Sequence, residues 1–186
     1  MANSINKLTV QEATNAALRR VIKVQPTITL DDNADNDVAF DWTEIPNASP
    51  GNGVAVMLNS IFILNGNDVA DVMELVFCRG GDSSGTAPTA AQGLVDGAGT
   101  GSAAVDITAA EAQAIEICGH VNIVSGDYVE GDLLTARMGK KTDIGLIMSP
   151  GSNSTSLYVG GIWRYDPADN SSLGTNLVDI YFGFED

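Results

Sequence analysis

Apolar residues occupy nine of the eleven positions in the segment at residues 54–64. Both alternating faces of an extended chain would then be apolar, which is typical of a central strand covered on both sides. A helix is the competing interpretation, but the β-branched and aromatic content and the Gly and Asn residues at both ends favour a strand. Both faces become polar together at Asn59 and Ser60, which predicts a β-bulge there.

Similar short patterns predict strands along most of the remaining chain. These are residues 21–30, 38–45, 69–78, 118–124, 128–129, 133–138, 143–148, 155–165 and 177–184. Pro26 cannot donate a ladder hydrogen bond, so the first of these should be an edge strand or should break at that point. An Asn-Gly turn after residue 64 predicts that the strands at 54–64 and 69–78 form an antiparallel hairpin.

Two capping-box patterns predict short helices. Thr9 is followed three residues later by Glu12, and Thr108 is followed by Glu111. A hydroxyl at the N-cap and a glutamate at the third helical position satisfy two backbone N–H groups reciprocally. We therefore expect helices at about 10–19 and 109–116.

Short strands separated by turn residues indicate an all-β fold, and we predict an antiparallel β-sandwich of jelly-roll type with these two helices. Residues 1–24 are expected to form a basic N-terminal arm, and residues 25–186 the sandwich. A Gly/Ala-rich loop at residues 79–104 is long for a compact domain. It could be a flexible surface insertion or an arm that orders on a neighbouring subunit.

The charge distribution separates the start of the chain from its body. The 186 residues carry a formal net charge of −15. Residues 1–30 hold four basic residues and one acidic residue, whereas residues 31–186 hold five basic and twenty-three acidic residues. Such a body would repel nucleic-acid phosphates, so we expect no nucleic-acid partner. The basic segment could dock on an acidic surface or could be structural.

Nothing in the sequence indicates a secretion signal or a membrane span, and we expect synthesis in a cytoplasm and no membrane partner. The two cysteines, Cys78 and Cys118, could pair, but free buried thiols are the commoner arrangement. The single histidine, His120, opens an apolar strand without an evident catalytic or metal-binding partner, so a structural or surface role is favoured.

An acidic turn and an aromatic pair are the remaining candidate sites. Asp31, Asn33 and Asp35 match the start of a calcium-binding loop, but Trp42 stands where a bidentate glutamate should be. A solvated acidic turn is therefore favoured over a metal site, and no cofactor is expected. Trp163 and Tyr165 could share a strand face and form a sugar-stacking platform, although core packing is the default for such residues.

Several segments share strand and turn sequence with a known group of proteins: residues 37–48, 75–77, 103–108, 126–129, 141–148, 155–159 and 179–184. In these segments the chain resembles a family of small β-rich structural proteins of tailed bacteriophages. The resemblance covers about residues 25–186. It implies a virion component, of the decoration or cement type, on the outer surface of the capsid.

The expected function is therefore to bind and reinforce the lattice of the major capsid protein without catalysing a reaction. The arm and the long loop are the predicted contact regions, with Lys7, Arg19, Arg20, Lys23, Leu94 and Val95 as interface residues. A homo-oligomer, preferably a trimer, is expected by analogy. A head- or tail-associated carbohydrate- or receptor-binding module that uses the aromatic pair is the alternative. A hydrolase built on two carboxylates is the least favoured class.

Overall fold

The computed structural model of the chain describes six stretches: residues 19–28, 36–66, 72–94, 105–130, 137–164 and 178–186. Their strands form two antiparallel sheets that pack face to face. The predicted all-β antiparallel sandwich is thereby confirmed, whereas a jelly-roll order of connections stays a prediction.

The first sheet contains β1 (Arg19–Val24), β3 (Val56–Asn65), β6 (Tyr128–Glu130), β7 (Arg137–Lys141), β8 (Leu146–Met148) and β10 (Val178–Glu185). Its strand order is β1-β10-β3-β7-β6, and β8 pairs with the N-terminal part of β3. The second sheet contains β2 (Val38–Ile45), β4 (Met73–Cys78), β5 (Ile117–Ile123) and β9 (Leu157–Trp163). Its order is β2-β9-β4-β5. The described helical elements are α1 (Ala109–Ala114) and the 3₁₀ turns Ala90–Gln92 and Ser125–Asp127.

The main core lies between the two sheets and takes side chains from both. Phe77 of β4 meets Phe182 of β10 edge to face, with ring centroids 5.8 Å apart. β10 alternates as predicted, since Val178, Ile180, Phe182 and Phe184 are buried. Burying side chains of this size removes enough apolar surface from water to dominate the stability of a sandwich.

The central position predicted for residues 54–64 is confirmed, and so is the bulge, but the prediction that both faces of this strand are covered is wrong. β3 pairs with β10 on one side and with β7 and β8 on the other. Ser60 faces Gly183 but Leu58 faces Phe184, so Asn59 is the extra residue. Buried positions consequently change from even numbers before the bulge to odd numbers after it. This change of parity explains why both faces look apolar in sequence, although only one face of β3 is fully buried.

The first strand corrects the predicted domain boundary. β1 is an edge strand and ends at Val24, two residues before Pro26, as the proline requires. Residues 19–24 were assigned to the arm, yet they pair along their whole length with β10. They belong to the sandwich because antiparallel pairing satisfies their backbone groups. The predicted helix at 10–19 lies outside the described residues, except for Arg19, which begins β1.

The predicted hairpin of residues 54–64 and 69–78 is wrong. β3 belongs to the first sheet, whereas β4 pairs with β5 and β9 in the second. Each of the two strands buries one face in the core between the sheets, and a strand can do so from either sheet without pairing with the other.

The second capping box is confirmed: Glu111 N donates to Thr108 Oγ1 at 3.3 Å and Thr108 N donates to Glu111 Oε2 at 2.8 Å. The resulting helix, α1, ends two residues before the predicted boundary.

Candidate protein-binding surfaces

Three loops that are distant in sequence meet at one end of the sandwich. We call residues 46–55, 82–86 and 150–155 the loop end. Gly53 N donates to Ser154 O at 3.1 Å, Ser152 N donates to Ser83 O at 2.9 Å and Ser49 N donates to Thr155 O at 2.9 Å. Because these bonds join backbone to backbone, the three loops hold one another in a fixed arrangement.

Asp82 organises the turn at residues 82–86. Its carboxylate accepts hydrogen bonds from the backbone N–H and the hydroxyl of both Ser84 and Thr86, at 2.6–3.2 Å. These bonds, that of the Ser84 hydroxyl foremost, lower the pKa of Asp82 to about 2. The charge of Asp82 therefore stabilises this turn.

The exposed surface of the loop end is nearly uncharged. Within its three described segments, the exposed residues are Pro46, Asn47, Pro50, Asn52, Val54, Ala55, Asp82, Ser83, Thr86, Ser152 and Asn153. Asp82 is the one charged residue among them, on a chain with a net charge of −15. Such a surface can approach another protein without desolvating many charges.

The first strand brings the N-terminal part of the chain to the same end. β1 begins at Arg19, which is paired with Glu185 near the C-terminus of β10. Arg20 forms an ion pair with Asp186 and donates from Nη1 to the carbonyl oxygen of Asn47 at 3.4 Å. The described chain therefore enters the first sheet at Arg19, beside the loop end.

The outward side of the first sheet is a second candidate surface, which we call the open face. It consists of Lys23, Phe62, Leu64, Val129, Met138, Lys140, Asp179 and Tyr181, which alternate with buried positions. The rings of Phe62 and Tyr181 lie 5.7 Å apart, and Val129 is 64% exposed. Lys23 and Asp179 form an ion pair at 2.8 Å, and this hydrogen bond raises the pKa of Lys23.

The outward side of the second sheet is covered by the long loop. Leu94 is 1% exposed and packs with Val38, Val76 and Ile162. A Cβ at Gly160 would overlap the Leu94 side chain, so the glycine makes room for it. Trp42 Nε1 donates to Gln92 O at 2.8 Å, which fastens the loop further. The described part of the predicted loop, residues 79–94, thus packs on the chain's own sheet, whereas residues 95–104 lie outside the described residues.

No protein-family model and no curated protein matches this chain.

The predicted interface residues have mixed outcomes. Leu94 is buried within its own chain, so the prediction that it contacts a partner is wrong. Arg20 and Lys23 lie at the surface but are engaged in ion pairs with Asp186 and Asp179. Lys7, Val95 and the side chain of Arg19 lie outside the described residues. The loop end was not identified from sequence, although all three of its loops are rich in Gly, Pro, Asn and Ser.

The predicted aromatic platform is not formed. Trp163 is 1% exposed and packs in the core between the sheets, because β9 lies between β2 and β4 and is buried on both faces. Its position therefore excludes stacking against a sugar from solvent. Tyr165 lies outside the described residues.

The residues with reactive side chains are dispersed. Among the described residues, no group of three or more His, Cys, Asp or Glu could hold a metal ion. Asp31, Asn33 and Asp35 lie outside them. His120 is exposed and lines a groove of about 450 Å³ with Glu74 and Arg164, whose Nε donates to Glu74 at 2.8 Å.

The described helices include none that is long and apolar enough to cross a membrane.

Both cysteines are free thiols. Burial raises the pKa of Cys78 to about 12 and that of Cys118 to about 11. A thiol is nucleophilic only as the thiolate, so neither residue is activated for covalent catalysis. Cys118 packs against the core, and its Sγ lies 3.5 Å from the carbonyl oxygen of Phe77. The nearby His120 is exposed instead, so the structure does not bring the two side chains together as a catalytic pair.

Proposed function

We propose that the protein is a structural component of a tailed-phage virion that binds the outer surface of the capsid and reinforces the coat-protein lattice without catalysing a reaction. The observation that carries the proposal is the loop end, a nearly uncharged surface made of interlocked loops on a strongly acidic sandwich. Enzymes concentrate perturbed acids, bases or nucleophiles in a cleft. This surface instead presents small polar and small apolar groups and one large apolar side chain, Val54, which is 46% exposed.

Rigidity is what makes this surface suited to reinforcement. Association costs the entropy of ordering the side chains and loops that enter the interface. Here the backbones of all three loops are already fixed by hydrogen bonds, and most exposed side chains are short. More of the contact energy is then available to oppose separation of neighbouring coat subunits.

Position in the chain supports the same surface. The predicted N-terminal arm enters the sheet at Arg19, beside the loop end. An arm that leaves from here could bind the lattice together with the loops, and two linked contacts strengthen each other through effective concentration. The acidic body would face away from the lattice and would keep decorated particles from aggregating.

The test is co-sedimentation of the full chain with expanded, empty capsid shells assembled from the coat protein of the phage proposed to encode it. Val54→Asp places a charge in the loop end and should weaken binding about tenfold or more. Val124→Asp is the matched control, since Val124 is 44% exposed and follows β5 at the opposite end of the sandwich. It should bind like the unmodified chain. Absence of binding by the unmodified chain, or equal binding by both variants, would overturn the proposal.

A further inference from the structure

The open face has an apolar centre, with Lys140 on one side of it and the ion pair of Asp179 with Lys23 on the other. β3 contributes Phe62 and Leu64 to the centre. On β7, Lys140 lies directly across from Phe62, and on β10, Asp179 lies directly across from Leu64. The cation and the carboxylate therefore stand one strand away from β3 in opposite directions.

We propose that a second copy of this chain packs on the open face, with the two-fold axis running parallel to β3. Rotation about this axis exchanges left and right on the face, so that β7 of each copy lies over β10 of the other. Each Lys140 then meets the partner's Asp179, and the two copies of Phe62 and Leu64 meet at the axis. An interface of this kind is isologous, since one patch is complementary to itself.

The dimensions of a sheet permit this contact. Neighbouring strands are about 4.8 Å apart, so β7 and β10 are equally distant from β3 on its two sides. Lys140 is level with Phe62 and Asp179 is level with Leu64, so Lys140 of one copy and Asp179 of the other are offset by two residues, about 7 Å, along the strand direction. The long methylene chain of a lysine can cover most of that distance.

The charges of the open face favour a second copy as the occupant. Lys140 is exposed, and no residue in the described stretches forms an ion pair with it. The face holds two lysines and one aspartate, so it is locally less acidic than the chain as a whole. Two such faces can therefore meet with less repulsion than the net charge of −15 on the whole chain would suggest.

The axis direction also leaves both loop ends free. Because it runs along the strands, the loop ends of the two copies point the same way and could contact one lattice together. The pairing goes beyond the proposed function and does not depend on it, since it is measured on the purified chain alone.

Sedimentation equilibrium of the full chain and two charge variants tests the proposal. Lys140→Glu sets a carboxylate against the partner's Asp179, and Asp179→Lys sets an ammonium against the partner's Lys140. Each variant alone should dimerise at least about tenfold more weakly than the unmodified chain. A mixture of the two should form heterodimers, because both contacts are then attractive. A monomeric unmodified chain, or a mixture that stays monomeric, would overturn the proposal.

Asp179→Lys also removes the ion pair with Lys23, so circular dichroism is used to check that this variant folds. Chemical cross-linking provides a second test that does not depend on Asp179. Leu64→Cys places a thiol beside the axis, and a short bis-maleimide should join two copies of this variant. Val124→Cys, at the far end of β5, should remain monomeric under the same treatment. Equal cross-linking of both variants would contradict the proposed axis.

Discussion

Gly151 lies so close to Gly85 that a Cβ at Gly151 would overlap the backbone nitrogen of Gly85. The two residues belong to loops on opposite sides of α1 and β5 in the sequence, and their contact is part of the loop end. Close approach of two backbones requires a residue without a side chain at the point of contact. This pair therefore fixes the spacing of the surface that we propose binds the lattice.

Gly151→Ala should lower the free energy of unfolding by about 3 kcal/mol, because the obstructing atoms are backbone and cannot rotate away. Urea denaturation measures the change. Gly126→Ala is the control, since no atom lies within 4 Å of a Cβ at that glycine, and it should change stability by less than about 0.5 kcal/mol. Equal stability of Gly151→Ala and the unmodified chain would show that the two loops can separate without cost.

Local patterns predicted the elements of this fold better than their pairing. The alternation of β10 and the capping box at Thr108 depend on neighbouring residues, and both are confirmed. The bulge at Asn59 was visible as two adjacent polar residues. The partner of β4 was not predictable in this way, because a strand with one apolar face can bury it equally well in either sheet.

The candidate surfaces likewise depend on long-range packing that local sequence patterns do not reveal. The loop end requires three loops to meet, and only long-range packing decides that. Trp163 looked available because the alternation of a single strand does not reveal which of its faces are covered by other parts of the fold. Leu94 stood out as an apolar residue in a Gly/Ala-rich loop, and its contact proved to be with the chain's own sheet.

Leu94 should behave as a core residue. Leu94→Ala should cost about 2–5 kcal/mol of stability, because it leaves a cavity between the loop and the second sheet. Thermal or urea denaturation measures this loss. Val21→Ala removes apolar atoms from a side chain that is 72% exposed, and should have little effect. A Leu94→Ala variant that keeps its stability would place Leu94 at the surface after all.

The turn at Asp82 should stabilise the protein in a pH-dependent way. The folded-state pKa of about 2 lies below the ordinary value of 3.8, so the contribution is fully present above the ordinary value and is lost as the pH falls towards 2. The stability difference between the unmodified chain and Asp82→Asn should therefore be largest near neutral pH and should shrink through this window. Melting temperatures of both proteins at a series of pH values measure it.

Asp106→Asn separates the effect of the turn from that of net charge. It removes one exposed carboxylate but none of the four hydrogen bonds around Asp82. If both variants change in parallel with pH, general charge repulsion and not the turn explains the dependence.

Cys78 and Cys118 should be inert in the folded protein. With pKa values of about 12 and 11, the thiolate fraction of either residue is on the order of one in a thousand or less at about pH 8. Burial also denies a reagent access to Cys78, which is fully buried in β4.

An aromatic disulfide reagent should therefore label neither thiol until a denaturant is added, after which it should label both. Val21→Cys, at a position that is 72% exposed, should add one rapidly reacting thiol to the folded protein and so proves that the reagent is active. Rapid labelling of the unmodified folded chain would contradict the buried environment and would reopen nucleophilic chemistry at these residues.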